Sequence, residues 1–379
     1  MEHTIMVDDL EPLRLAKSAG LSLESSQSYV LLFADQEKCS LDAGLFAVAV
    51  SEENQIKVYS KESFCCQGVL EGHKKTITGL VFCVKNSHHI WSSSLDGTVR
   101  CWDISSQDVL LEIQSDKHEP FSALAISCDG KFLCAGTEKM GEEDEEDVSL
   151  YAWNTQEFPT VKQHGKYDDL HSDDITQVLF HPQNTSLMAT GSTDGLVCLL
   201  DVGCESENDM LLRVFNTESS VNKVGFFGPA YEYMFATTHI ETVHFWACCS
   251  GDQLGVLKEL RHEKECPCEL DYIVDGFYHE PSQRLFFVVG TFRGQLKLLH
   301  VKLDGVEHFQ NLNACHSATV RCVLFTMKTN ELLVGGEDGM MSLWAPQKTG
   351  NNTELPSKST SKYTKKKKKE LKPYKVMGH

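Results

Sequence analysis

His73, His171 and His316 each sit near an aspartate, a combination of residue types that could move protons in general acid–base catalysis. All three stand at one place in a unit that recurs along the chain, which points to a structural part and not to an active site. Gly191-Ser-Thr-Asp-Gly195 has its serine at the wrong position for a nucleophile elbow and reads as a hairpin turn. There is no P-loop and no His-Glu-x-x-His pattern. His262 with Cys266-Pro267-Cys268 is the one cluster with zinc-like composition, and no second pair completes four ligands, so it reads as a loop with free thiols. Cys65-Cys66 and Cys248-Cys249 are adjacent pairs without metal-site spacing. The chain has 15 cysteines, an odd number, and Cys83, Cys101, Cys134, Cys198 and Cys322 fall in strand-like runs. They read as small hydrophobes in a reducing compartment. The expectation is a protein that is not an enzyme, with no catalytic residues, no cofactor and no metal.

The elements that must position these histidines are short strands. Gly72 to Asp103 is the clearest unit, with strands predicted over Thr76–Phe82, His89–Ser94 and Thr98–Trp102. Leu95-Asp96-Gly97-Thr98 makes the turn between the last two. Three such strands have no core of their own. Related units are expected at about 28–60, 118–154, 171–202, 218–247, 271–301 and 316–345. The large residue of each third strand is Tyr59, Trp102, Trp153, Leu200, Trp246, Leu299 and Trp344, in steps of 43, 51, 47, 46, 53 and 45 residues. A period of forty-odd residues is that of a propeller blade. The predicted organisation is a flexible stretch at 1–12, an array at 13–346 and a disordered lysine-rich tail at 347–379. An open array would expose strand edges, so Leu13 to Ala16 is expected to supply the outer strand of the last unit and close the ring.

Gly72-His73, Trp102-Asp103 and the Ser-x-Asp-Gly type of turn resemble the WD40-repeat β-propellers. The resemblance covers residues 13 to 346 and implies an all-β, seven-bladed fold. It also implies a hydrogen-bonded structural set within a blade, here His73, Ser92, Asp96 and Trp102. The donors and acceptors fit: indole N–H to hydroxyl, hydroxyl to imidazole, imidazole to carboxylate. The other units keep only parts of the set. The fourth has His171, Thr190 and Asp194 but Leu200 for Trp, and the seventh has His316, Asp338 and Trp344 but Val334 for the hydroxyl.

Charge separates the functional clues from the repeats. The 379-residue chain has a net charge of −19; ten Lys against two Glu from Gln347 onward give +8, leaving −27 on the first 346 residues. Glu142, Glu143, Asp144, Glu145, Glu146 and Asp147 form an acidic insertion between two strands of the third unit. It reads either as a solvating loop or as a capture site for basic nuclear proteins. Lys365, Lys366, Lys367, Lys368 and Lys369 read as a nuclear or nucleolar address, or as a weak, salt-sensitive nucleic-acid contact. No apolar run reaches the ~18 residues of a membrane span, and the N-terminus lacks the basic-then-apolar order of a secretory signal. The expectation is a monomeric propeller in the nucleus or nucleolus, also compatible with the cytoplasm, with no membrane contact and no secretion. Three functions stay open: a scaffold for protein partners in a nuclear complex, a nucleic-acid-associated or ribosome-assembly factor using the tail, and a substrate receptor of a cullin ubiquitin ligase. Receptors of that last kind commonly carry Arg soon after the Trp-Asp pair, whereas Trp102-Asp103 is followed by Ile104-Ser105-Ser106.

Overall fold

The second strand of each unit is apolar or small on both faces, the pattern of a strand covered from two sides. Leu45–Val50, Phe132–Thr137 and Glu331–Gly336 are buried along nearly their whole length. In the computed structural model, which describes residues 9–21, 28–36, 44–115, 117–140, 148–204, 207–258, 260–262, 270–312 and 316–346, these strands lie at the centre of seven four-stranded antiparallel sheets. The all-β, seven-bladed expectation is met.

Each blade has a fourth, outer strand, which the sequence reading lacks in every blade but the last. Cys66–Leu70 closes blade 1, Val109–Gln114 blade 2 and Lys162–Tyr167 blade 3. Their sequences share no pattern: KQHGKY is polar, CQGVL carries a glycine and VLLEIQ is mostly apolar though exposed, because an outer edge in water makes little demand on residue type.

The first strand of each blade packs against the first strand of the next, and Val320–Thr326 of blade 7 packs against Val30–Asp35 of blade 1. The ring is thereby continuous. Its core is divided into seven clusters, and each draws on two neighbouring blades. Ala47, Ile56 and Val58 of blade 1 pack with Ile77, Ile90 and Trp102 of blade 2. Phe33, Phe46 and Val48 of blade 1 pack with Leu333, Met341 and Leu343 of blade 7 across the closure.

Two register shifts recur in every blade. One falls near the start of the first strand, as between Ile77 and Gly79 or Phe121 and Ala123. The other falls at the outer pair, as between Cys101 and Trp102. A bulge adds twist to the strand that carries it. The residue left unpaired also reaches the next blade: Thr78 Oγ1 donates to the Phe121 carbonyl at 2.6 Å, and Ser122 Oγ to the Ile175 carbonyl at 2.6 Å.

Leu13–Gly20 pairs antiparallel with Met340–Pro346, so the last blade contains both ends of the array. The closing strand is longer than the four residues expected from sequence, and both neighbouring blades hold it. From blade 6, Gln310 Oε1 accepts the Leu13 N–H at 2.8 Å while Gln310 Nε2 donates to the Leu13 carbonyl. From blade 1, the carbonyls of Lys61 and Glu62 accept from Lys17 Nζ, the first at 2.7 Å. Leu10 and Leu13 are buried beside Trp344 and Leu312. Deleting residues 1–20 is therefore expected to lower the thermal midpoint or cause aggregation, whereas deleting 350–379 leaves the melt unchanged. Gln310→Ala should cost about 1–2 kcal/mol in denaturant unfolding. A melt of the 1–20 deletion that overlays the full chain would refute closure by this strand.

Candidate functional site

Antiparallel order puts the loop before a blade's first strand and the turn between its second and third strands on the same rim. In blade 2 the two are tied together. Trp102 Nε1 donates to Ser92 Oγ at 2.8 Å, and Ser92 Oγ lies 2.7 Å from His73 Nε2. His73 Nδ1 is 3.0 Å from Asp96 Oδ2. Asp96 also accepts the Lys74 N–H at 2.9 Å and the Thr98 N–H at 3.0 Å. The structure thus brings His73, Ser92, Asp96 and Trp102 into one buried chain of hydrogen bonds. Burial works against the Asp96 charge, yet hydrogen bonds from His73, Thr98 and the Lys74 amide outweigh it and hold the carboxyl below its ordinary range. The turn beyond it needs Gly97, whose φ is 79° and whose absent Cβ would stand 3.0 Å from the His118 carbonyl oxygen. Every donor and acceptor of the set is engaged within the blade, so none is left to act on a substrate.

Blade 4 repeats the arrangement without indole. His171 Nε2 lies 2.8 Å from Thr190 Oγ1 and His171 Nδ1 3.1 Å from Asp194 Oδ2. Blade 7 departs from the sequence expectation. Val334 does occupy the hydroxyl position, but its cross-strand partner is Ser342. That serine supplies the missing group: His316 Nε2 is 3.0 Å from Ser342 Oγ, which accepts from Trp344 Nε1 at 3.1 Å. Blade 2 is therefore not the single complete set. The signal that could have revealed the second is Ser342 two residues before the tryptophan, a relation visible only once register is known.

The other blades put different chemistry at the rim. In blade 3 Glu119 accepts from Tyr151 Oη at 2.6 Å and pairs with Lys166 at 3.5 Å. In blade 5 the turn position of Asp96 is taken by Ile240, and that of Gly97 by Glu241 at φ 62°. A non-glycine residue in that region is strained. Here its buried carboxylate has a use, since Oε2 accepts the Ile273 N–H of blade 6 at 2.8 Å. Blade 6 has Phe292 and Arg293 in the corresponding turn, and Phe292 and Ile240 are the most exposed large apolar side chains among the described residues, each at 64%.

Acidic residues gather at one sector of the rim. Glu138 and Lys139 leave the second strand of blade 3, with the Glu138 N–H donating to the Pro120 carbonyl at 3.0 Å. The Lys139 N–H donates to Asp174 Oδ1 at 2.8 Å, which fastens this connection to the loop before blade 4. Glu142 to Asp147 follow in the sequence and lie outside the described residues. Residues 138–140 and 166–174 hold five carboxylates against two lysines. Burial and the neighbouring charge of Asp174 push the Glu138 carboxyl above its usual range, more than Lys75 lowers it. Lys365 to Lys369, Cys266 and Cys268 also lie outside the described residues. Among the described residues no group of three or more His, Cys, Asp and Glu could hold a metal ion.

Ser92→Ala and Ser342→Ala should each destabilise the protein by about 1–3 kcal/mol, because each strands a buried imidazole and indole. Equal unfolding curves for Ser342→Ala and the parent would show that blade 7 does not depend on this hydroxyl. Asp96, Asp194 and Asp338 all titrate lower when folded than the ordinary 3.8. Their contribution is complete above about pH 4 and is lost as pH falls below it. An Asp96→Asn variant, already lacking one of these charges, should show a shallower loss of stability between about pH 4 and 2.

A family model described as "WD domain, G-beta repeat" matches residues 64–103, 166–201 and 309–345. Those stretches carry blades 2, 4 and 7, the three in which histidine, hydroxyl and aspartate are joined. The chain is 29% identical to WD repeat-containing protein 89 homolog of Dictyostelium discoideum, over 82% of this chain and 87% of that protein. It is 28% identical to WD repeat-containing protein GTS1 of Arabidopsis thaliana, over 89% of this chain and 87% of the relative. Among solved structures, a chain in the crystal structure of the mitotic checkpoint complex superposes with a TM-score of 0.68 at 13% identity, covering 91% of this chain and 95% of that one. This last likeness concerns the fold alone. Repeat sequence, blade topology and bracing agree: the chain carries WD40 repeats in a seven-bladed β-propeller, and it is similar to WD repeat proteins over most of its length.

Proposed function

We propose that this protein is a non-enzymatic scaffold that presents its propeller rim to basic protein partners, in a nuclear complex. The observation that carries the reading is the acidic sector of blades 3 and 4. There the connection beginning at Glu138 is fastened to the loop Asp168–Asp174 by the Lys139–Asp174 hydrogen bond. Closely set carboxylates repel one another, so a basic partner gains by relieving that repulsion. Burial is the larger cause of the upward displacement of Glu138, and the neighbouring charge of Asp174 adds to it. The histidine chemistry offers no competing reading, because each imidazole is committed on both nitrogens to its own blade.

The tail supports the nuclear assignment: Lys365 to Lys369 have the composition of an address segment. The same composition favours a second reading, phosphate contact with RNA during ribosome assembly, which would be electrostatic and strongly salt-dependent.

Replacing the six acids at 142–147 with Ser and Asn, together with Asp169→Asn and Asp173→Asn, should reduce recovery of basic nuclear proteins in pull-downs several-fold. Unchanged recovery would reject the acidic sector as the binding surface. A fluorescent fusion lacking residues 358–379 should leave the nucleus, and its retention there would sink the address reading. RNA association that weakens steeply between about 50 and 200 mM salt and vanishes with the tail would favour the second reading.

A further inference from the structure

The first strands of the seven blades enclose a central channel, and the residue just past each bulge occupies an equivalent level in it. Around the ring these residues are Leu32, Gly79, Ala123, Gln177, Lys223, Asp275 and Cys322. One side is apolar or small, and the consecutive blades 4, 5 and 6 contribute Gln177, Lys223 and Asp275.

Lys223 and Gln177 line a cavity of about 140 Å3. Lys223 is half-buried, and its ammonium has neither a hydrogen bond nor an ion pair with any described residue. Asp275 feels the Lys223 charge without forming an ion pair with it; burial keeps that carboxyl above its ordinary range despite Lys223. Gln177 uses Oε1 to accept the Val224 N–H at 2.7 Å, which orients its amide group and leaves the NH2 without a described acceptor. Two donors therefore face a partly buried space whose lining, among the described residues, includes no carboxylate.

This cavity shares Phe33, Leu80, Leu124, Gln177 and Val178 with a second of about 290 Å3. The second is built from later positions of the same strands, farther from the rim, and its walls include Phe82, Ile126, Phe180, Leu324 and Phe325. The channel is thus graded, from an ammonium outside any described ion pair at one level to a mainly aromatic and aliphatic wall, with Asp35 and Gln177 also in it, at the next.

We propose that the channel binds a small amphiphile, with a carboxylate at Lys223 and Gln177 and an aliphatic or aromatic body among Phe82, Ile126, Phe180 and Phe325. The head approaches Lys223 from the Gln177 side, away from Asp275. The carboxylate supplies the acceptor that both donors lack, and the body removes apolar wall from water. The assignment is independent of the acidic sector on the rim.

The test uses the full chain and a fluorescent dansyl-undecanoic acid probe, displaced by decanoate or by 1-decanol. Decanoate is expected to displace the probe about tenfold better than 1-decanol, the worth of a hydrogen bond to a charged group. Lys223→Met should erase that preference without shifting the thermal midpoint, and Ile126→Trp, which fills the apolar end, should weaken both competitors. Absence of probe binding, equal displacement by acid and alcohol, or a preference that survives Lys223→Met would overturn the proposal. If Ile126→Trp does not fold, the acid-to-alcohol ratio in Lys223→Met decides alone. Displacement by a peptide ending in a free phenylalanine carboxylate, with none by decanoate, would overturn assignment to a free amphiphile.

Discussion

Burial between neighbouring sheets is the constraint on which the rest of this structure depends. A four-stranded blade is too thin to have an interior, so every apolar face must be covered by the next blade. The seven core clusters follow from this, each spanning two blades. Closure follows as well, because an open array would leave two such faces and a strand edge in water. The N-terminal strand meets the need, and Gln310 on one side and Lys17 on the other hold it in the backbone's own currency of N–H and C=O.

Within that frame the blades divide into braced and unbraced. Blades 2, 4 and 7 fasten the rim loop to the turn through histidine and aspartate, which consumes the polar groups of both. Blades 1, 3, 5 and 6 lack the brace, and their turns are free to vary: Glu52 with Glu53, an acidic insertion, Ile240 with Glu241, Phe292 with Arg293. The braces occur in widely separated blades, so each unbraced stretch lies between fixed points. Blade 3, with its insertion, stands between two of them. A rim built this way can carry variable loops at little cost to the ring.

The functional conclusion rests on the same division. Chemically suggestive histidines belong to the part that holds shape, while the features that differ between blades lie where a partner or ligand can reach them. The channel shows the same thing at another level. The bulge repeats in all seven first strands, but the residue beyond it does not, and Lys223, Gln177 and Asp275 stand out against small or apolar equivalents.

The sequence by itself determined the fold class, the blade count, the strand that closes the ring and the position of the acidic insertion, because strand periodicity, turn residues and charge are local properties. Gly72-His73 and Trp102-Asp103 were enough to recognise the repeat. Other features depend on which residues face each other, and only the tertiary structure decided them. The outer strands of every blade but the last were hidden because a water-facing edge places little demand on residue type. Ser342 was read past because its role comes from pairing opposite Val334, not from its distance along the chain. Lys223 and Gln177 are 46 residues apart, and they meet because equivalent positions in adjacent blades converge on one axis.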